Sequence, residues 1–93
     1  MLSKIPINLE KVGKEDLDKE ILRFGLIAEL DAINLYEQLA AVTENVFVRK
    51  ILLDIAREEK THAGEFLALL LKFDEEQAKE LEEGRREVEE LEE

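Results

Sequence analysis

The chain has 93 residues, of which 45% are hydrophobic and 40% charged, and its formal net charge is −11. This length fits one small domain, whose limited core makes oligomerisation a natural source of added stability. The acidic balance argues against a nucleic-acid partner, because phosphate binding needs clustered Lys and Arg. Without cysteine, the sequence excludes disulfides, iron–sulfur clusters and thiol catalysis. No apolar run reaches the roughly 20 residues of a membrane span, and the start lacks a signal peptide's apolar core. We expect a soluble, cytoplasmic protein without a membrane partner.

Residues 1–13 are predicted to form an extended N-terminal arm, because Pro6 lacks an N–H and Gly13 interrupts the chain. Helical periodicity begins at Lys14 and continues to about Thr43. One face of this first helix carries the apolar residues Ile21, Leu22, Leu26, Ile33, Tyr36, Leu39 and Ala40, and a second set, Leu17, Phe24, Ala28, Leu35 and Val42, widens it. A single partner helix cannot cover so wide an arc, so we expect contacts with more than one neighbour.

The segment Thr43 to Val46 is the predicted turn, with Asn45 as the N-cap of a second helix that runs from about Val46 to Lys72. Its core face is predicted to carry Val48, Leu52, Ile55, Phe66, Leu69, Leu70 and Phe73. Residues 14–73 should therefore form an antiparallel two-helix hairpin.

Residues 74–93 hold 11 acidic and 3 basic residues and are predicted to form a short acidic C-terminal helix. Asp74 and Gln77 resemble a capping box at its start, and Gly84 interrupts a thin apolar stripe. A solvated acidic helix is the simpler interpretation, and a surface that attracts cations is the alternative. The predicted fold class is all-α.

Three polar residues lie within the apolar stripes of the two long helices: Glu29 on the first, and Glu59 and His62 on the second. In a hairpin that turns at residue 44, residues whose numbers add up to 88 lie at about the same height, and Glu29 and Glu59 satisfy this condition. The two carboxylates should face each other, with His62 one turn away. Burying such groups without partners is unfavourable.

A divalent metal resolves this conflict, since two facing carboxylates otherwise repel each other. Glu59-x-x-His62 offers one oxygen and one nitrogen to a single ion, a donor set that suits Fe, Mn or Zn. Helix bundles with paired metals use a Glu from each of two helices and Glu-x-x-His from each of two others. One chain supplies half of that set, so a two-fold dimer would complete it. Alternatively, the Glu residues pair with Arg or Lys and His62 is a satisfied core residue.

Four further residues are candidates for supporting roles. Tyr36 is either a core aromatic or a hydrogen-bonding or redox group beside the site. Glu58 and Glu65 lie at the edge of the stripe, as solvated rim residues or as carboxylates on the route by which ions reach the site. Asp31 falls on a polar face, where a charge costs little, and only the family resemblance that follows suggests it for a secondary metal site.

Two segments resemble a known family: "IAELDAINLYEQLA" (Ile27 to Ala40) and "VRKILLDIAREEKTHAGEFLALLLK" (Val48 to Lys72). They are similar to the encapsulated ferritins, small ferritin-like proteins housed inside encapsulin nanocompartments. The resemblance covers roughly residues 15–90 and is nearest to the archaeal branch, in which this domain precedes the capsid protein in one polypeptide.

The resemblance implies a hairpin that dimerises into a ferritin-like four-helix bundle, with five dimers in a decameric ring. It implies that Glu29, Glu59 and His62 of each subunit ligate iron, two ions per dimer, with Tyr36 close by. The implied activity is that of a ferroxidase, which oxidises Fe²⁺ to Fe³⁺ with O₂ and supplies iron for storage inside the encapsulin capsid protein's compartment.

The sequence departs from the family at two points. Ala28 stands where some relatives carry an acidic residue, so the resemblance does not carry over a secondary metal site at that position with Asp31. The end "GRREVEELEE" does not resemble the capsid-docking peptide of standalone members. Two other functions stay open: a rubrerythrin-like di-iron peroxide reductase, and a metal-free helical assembly or cargo module.

Overall fold

The structure is a computed structural model that describes residue 4 and residues 7–92. A short 3-10 helix, Leu9–Lys11, precedes three α-helices, which we number α1 (Lys14–Val42), α2 (Val46–Phe73) and α3 (Glu75–Glu92). The described residues contain no strand, so the all-α prediction with three helices is confirmed. Within the same residues, no helix combines the length and apolar character that crossing a membrane requires.

The N-terminal arm differs from the extended segment expected from the sequence. Residues Leu9–Lys11 form a 3-10 turn in which the Lys11 N–H donates to the Asn8 carbonyl and the Val12 N–H donates to the Leu9 carbonyl, each at 3.2 Å. Each of these residues has a backbone N–H, so nothing prevents such a turn. Pro6, on which part of the prediction rested, lies outside the described residues.

The turn between α1 and α2 is held by side chains on both sides of it. Asn45 is the N-cap of α2, as predicted, because its Oδ1 accepts hydrogen bonds from the N–H groups of Phe47 (2.9 Å) and Val48 (3.0 Å). Arg49 donates from Nε to the Ala40 carbonyl and from Nη2 to the Thr43 carbonyl. Because α1 has no basic residue in its last turn, Arg49 supplies the positive charge that a helix C-terminus favours.

Residues further from the turn on α1 contact residues further from the turn on α2. Arg49 reaches Ala40 near the turn, the Phe66 ring lies against Gly25 further along, and Arg23 binds Asp74 at the far end. The buried apolar residues along this pair are Ile33, Ala40, Ala56 and Leu70. Each long helix therefore has a face in contact with the other.

Much of the apolar arc predicted for α1 and α2 remains exposed in the single chain. Val42 on α1 is 77% exposed, and Phe73 and Leu69 on α2 are 55% and 47% exposed. Packing of α1 against α2 alone leaves these side chains in contact with solvent, and contact with a further neighbour stays a prediction.

Asp74 alone separates α2 from α3. Its Oδ1 accepts a hydrogen bond from the Gln77 N–H (3.0 Å), which is the cap predicted from the sequence, and its Oδ2 accepts one from Arg23 Nη2 (2.8 Å). The Gln77 N–H and then the Arg23 guanidinium hold the pKa of Asp74 below its ordinary value. This one carboxylate thus links the start of α3 to α1.

α3 has no buried residue. Its own side chains support it, with Arg85 pairing with both Glu82 and Glu89, one turn before and after it. The Arg85 guanidinium lowers the pKa of Glu82. The structure thus agrees with a solvated acidic helix.

The Asn45 cap is testable by substitution. Asn45→Ala removes the acceptor for two N–H groups of α2 and should lower the free energy of unfolding by about 1 kcal/mol. Asn45→Asp keeps the acceptor and serves as the control, with stability at or above that of the native chain. Urea unfolding followed by circular dichroism measures both variants. Equal loss in the two would contradict the capping role.

The Asp74 carboxylate makes stability depend on pH. Because its pKa is lowered in the folded chain, its ionised form contributes stability that is present above its unfolded pKa of about 4 and is lost as the pH falls through the lowered folded pKa. Asp74→Asn keeps an acceptor for Gln77 but lacks the titration. The difference in unfolding free energy between the native chain and Asp74→Asn should therefore shrink between pH 5 and pH 3. A constant difference in urea unfolding across these pH values would refute this account.

Candidate metal centre

The structure brings together the three polar residues that the sequence places in the apolar stripes. Glu29 comes from the middle of α1, and Glu59 and His62 come from consecutive turns of α2. One carboxylate oxygen from each Glu and a ring nitrogen of His62 lie within 4.8 Å of one another. His62 Nδ1 lies 3.4 Å from Glu59 Oε2 and 3.6 Å from Glu29 Oε2. The three side chains therefore converge on one point beside the contact between α1 and α2.

The two carboxylates are more buried than the histidine. The side chains of Glu29 and Glu59 are 18% and 20% exposed, whereas that of His62 is 46% exposed. Glu29 Oε2 is buried and has no hydrogen-bond partner among the described residues. A buried oxygen without a partner is unusual and calls for an explanation, such as an ion that binds there. The exposed ring of His62 shows that the cluster is open on one side in a single chain.

The basic side chains nearest in sequence are engaged elsewhere. Lys60, next to Glu59, pairs with Glu37 across the helix contact at 3.0 Å. Arg57 pairs with Asp54 at 2.6 Å and holds the pKa of that carboxyl below its ordinary value. Within the described residues, no Lys or Arg forms an ion pair with Glu29 or Glu59. In the described part of the chain, therefore, neither Lys nor Arg neutralises these two carboxylates, as the alternative required.

The cluster has the dimensions and donor types of a metal site. Ligand atoms on one ion with bonds of about 2.0–2.2 Å lie up to about 4.4 Å apart, and the ligand atoms of these three groups lie within 4.8 Å of one another. Small side-chain rotations would bring all three within bonding distance of one ion. Carboxylate oxygen with imidazole nitrogen suits Fe, Mn or Zn. The residues therefore fit a transition-metal ion, and one chain leaves room for further ligands.

Of the four supporting candidates, Glu65 borders a groove that reaches the cluster. With Phe66 and Leu69 it lines an open groove of about 320 Å³ that also includes Glu29 and His62. Glu65 therefore borders the same groove as two of the three converging residues.

The other three candidates do not line this groove. Tyr36 is half-buried two helical turns beyond Glu29, about 10 Å along the α1 axis. Asp31 follows Glu29 by two residues, about 200° around α1, and so lies on another side of that helix. Glu58 is exposed on α2. None of the three joins the converging group in the described chain.

The sequence reasoning missed Gly25, one turn before Glu29 on α1. A Cβ atom there would lie 2.6 Å from Phe66 Cδ1 and 2.7 Å from Cζ, so the ring occupies the space of the missing side chain. The available signal was a glycine in the middle of an apolar helix, at nearly the same height as Phe66 in the hairpin.

Comparison with known proteins identifies the family. A profile of the family described as Rubrerythrin matches residues 20–93. The chain belongs to this family, as a ferritin-like domain, and the resemblance to the encapsulated ferritins is confirmed. The chain is similar to the "encapsulated ferritin domain from Pyrococcus furiosus", with 58% identity and a TM-score of 0.83, covering 98% of this chain and 95% of that one.

Two curated relatives are longer than this chain. One is a "Ferritin-like-encapsulin shell fusion protein" of Pyrococcus furiosus, 59% identical over 98% of this chain. The other is the "Encapsulin nanocompartment cargo protein EncC" of Myxococcus xanthus, 42% identical over 61% of this chain. The matched regions cover 27% and 44% of these relatives, respectively. Both relatives are named for an association with encapsulin.

The unpartnered oxygen of Glu29 predicts a gain in stability when the carboxylate is removed. In metal-free protein, Glu29→Leu should raise the free energy of unfolding by about 1 kcal/mol, because it removes a buried acceptor without a partner. Glu58→Leu, which removes the same charge from an exposed position, is the control and should change stability by less than about 0.5 kcal/mol. Urea unfolding in the presence of a chelator measures both. A lower free energy of unfolding in Glu29→Leu would contradict the destabilising effect of this buried, unpartnered carboxylate oxygen.

Proposed function

We propose that the protein is a ferroxidase that oxidises Fe²⁺ with O₂ at a centre completed by two copies of the chain. The observation that carries the proposal is the convergence of Glu29, Glu59 and His62, with one buried carboxylate oxygen lacking a partner. Residues 14–73 form the iron-binding hairpin in this proposal, with residues 1–13 as the arm and residues 74–93 as an acidic appendage.

Two copies related by a two-fold axis would bring together four Glu and two His residues. The four carboxylate charges balance two Fe²⁺ ions. Each ion would give up one electron, so a pair supplies the two electrons that, with two protons, reduce O₂ to hydrogen peroxide. Carboxylate oxygens favour the Fe³⁺ product, a harder cation than Fe²⁺. The open side of the cluster, where His62 is exposed, is where the second copy would add its ligands.

The surface of the single chain supports association between copies. The chain exposes 7423 Å², whereas a compact monomer of 10.8 kDa exposes about 5,500 Å². The excess of roughly 1,900 Å² exceeds the approximately 800 Å² that each partner buries in an interface of standard size. The exposed apolar residues on α1 and α2 would be buried in such an interface. The dimer would form a four-helix bundle, and the family resemblance extends this to a ring of five dimers.

The supporting candidates keep their proposed roles. Glu65 lies along the groove that leads to the cluster and is the best placed to guide cations toward it. Tyr36, two turns from Glu29 on α1, keeps its proposed role as a hydrogen-bonding or redox group near the site. Asp31 and Glu58 remain candidates for a secondary site or for the route by which ions reach the centre. The encapsulin names of both curated relatives support a location inside an encapsulin compartment in the cytoplasm, with iron passed on for storage.

A second candidate is a peroxide reductase, and the match to the Rubrerythrin family favours it. The same cluster would use H₂O₂ in place of O₂ as the electron acceptor. This reaction needs an electron donor for turnover, and the cysteine-free sequence provides no thiolate-bound iron for that purpose.

Fe²⁺ oxidation and mass in solution test the proposal together. The native chain should oxidise Fe²⁺ under O₂ and gain mass as a dimer or larger assembly when Fe²⁺ is added. Glu59→Ala with His62→Ala should reduce the rate at least tenfold and remove the metal-dependent stabilisation, because two of the three ligand groups are lost. Glu44→Ala with Thr61→Ala alters two exposed residues and is the control.

The alternatives give different results in the same experiment. Faster oxidation with H₂O₂ than with O₂ identifies the peroxide reductase. A metal-free assembly module would bind no Fe²⁺, and its melting temperature would rise in Glu59→Ala with His62→Ala because an apolar side chain replaces the largely buried Glu59 carboxylate.

A further inference from the structure

Gly25 and Phe66 form a contact one helical turn from the metal-ligand cluster. A Cβ on Gly25 would meet the Phe66 ring at Cδ1 (2.6 Å) and Cζ (2.7 Å) and still more closely at Cε1. Contacts this short do not occur between real atoms, so the ring and a side chain at residue 25 exclude each other. The ring therefore packs directly against the backbone of α1.

The Gly25–Phe66 pair has the same register between the two helices as the Glu29–His62 pair of the cluster. Gly25 lies four residues before Glu29 on α1, and Phe66 lies four residues after His62 on α2. Because the helices run antiparallel, both pairs have residue numbers that add up to 91, and they form neighbouring layers about 6 Å apart. The separation of the helices in one layer therefore constrains the separation in the next.

The side chains of the two layers also lean toward each other. Side chains on a helix tilt toward its N-terminus, so Glu29 leans toward the Gly25 layer and the Phe66 ring leans toward His62. Both Glu29 and Phe66 line the groove beside the cluster. The ring is thus a wall of the space in which a metal ion would bind.

The geometry points to Gly25 and Phe66 as positioning residues that set the distance of Glu29 from Glu59 and His62. The missing side chain at residue 25 lets the aromatic ring close the contact between the helices, and this holds the three ligand atoms within reach of one ion. A methyl group at residue 25 would push the ring or α1 away and separate the ligand atoms, which now lie within 4.8 Å of one another. This inference rests on the proposed metal centre and adds to it the residues that hold its geometry.

Co²⁺ is the probe for this inference, since its visible absorption reports both binding and ligand geometry. Titration of the 93-residue chain with Co²⁺ should give a dissociation constant at least tenfold higher for Gly25→Ala than for the native chain, with altered absorption bands. Gly84→Ala on α3 is the matched control, because nothing lies within 4 Å of a Cβ there, and its Co²⁺ titration should be unchanged. Gly25→Ala that binds Co²⁺ within twofold of the native chain overturns the inference.

Phe66→Leu tests whether the Phe66 ring causes the expected loss of Co²⁺ affinity in Gly25→Ala. Leucine lacks Cε1 and Cζ, two of the three ring atoms that meet residue 25, and its Cδ atoms can rotate away, so adding Gly25→Ala to Phe66→Leu should change the Co²⁺ dissociation constant less than threefold. An equal loss of affinity in both backgrounds would place the effect outside this contact and overturn the inference. Circular dichroism shows whether Gly25→Ala folds. If it does not, the comparison of Phe66→Leu with the double variant tests the inference. A double variant that also fails to fold overturns the inference.

The two proposals fail in distinguishable ways. If the native chain binds no Co²⁺, the proposed metal centre is wrong. If the native chain binds Co²⁺ but does not accelerate Fe²⁺ oxidation, the proposed ferroxidase activity is wrong. The variants above then still decide whether Gly25 and Phe66 position the ligands.

Discussion

The register in which α1 packs against α2 determines which side chains meet along the contact between the two helices. The turn between Val42 and Val46 is short and is held from both sides, by Asn45 on the amides of α2 and by Arg49 on the carbonyls of α1. With the turn fixed, Glu29 must lie beside His62 and Gly25 beside Phe66. A shift of either helix by one residue would rotate its side chains by about 100° and separate the converging groups.

This register creates an electrostatic problem that the single chain does not solve. It brings two carboxylates and an imidazole together, while Lys60 and Arg57 neutralise other acids. Packing and charge therefore oppose each other at this point of the helix contact. Such conflicts are characteristic of functional sites, where local consistency is given up for chemistry. A cation and a second copy would each relieve part of the conflict, the first by neutralising the carboxylates and the second by covering the exposed face.

Most of the fold and the cluster could be predicted from the sequence, because both follow from regular helical geometry. Asn45 and Asp74 identify helix ends through their side-chain chemistry, and the convergence of Glu29 with Glu59 and His62 follows from the position of the turn. The contributions of Arg49 and Gly25 could not be predicted in this way. Each depends on the distance between two helices, and periodicity gives the direction of a side chain but not that distance.

The degree of exposure was also beyond the sequence. His62 falls in an apolar stripe and was expected to be buried, yet nearly half of it is exposed. Periodicity identifies the apolar face of a helix, whereas burial in one chain depends on which neighbours that chain itself supplies. Val42 and Phe73, at the ends of α1 and α2, illustrate the same difference.

The junction at Asp74 has a consequence for how this domain tolerates change in length. One residue ends α2, caps α3 and binds Arg23. Substitutions on the exposed surface of α3 leave that arrangement intact. An insertion or deletion of one residue between Phe73 and Glu75 would turn α3 by about 100° relative to α2 and take the carboxylate away from Arg23. Variation in length among related chains should therefore accumulate beyond Glu92 or before Lys14, and seldom at this junction.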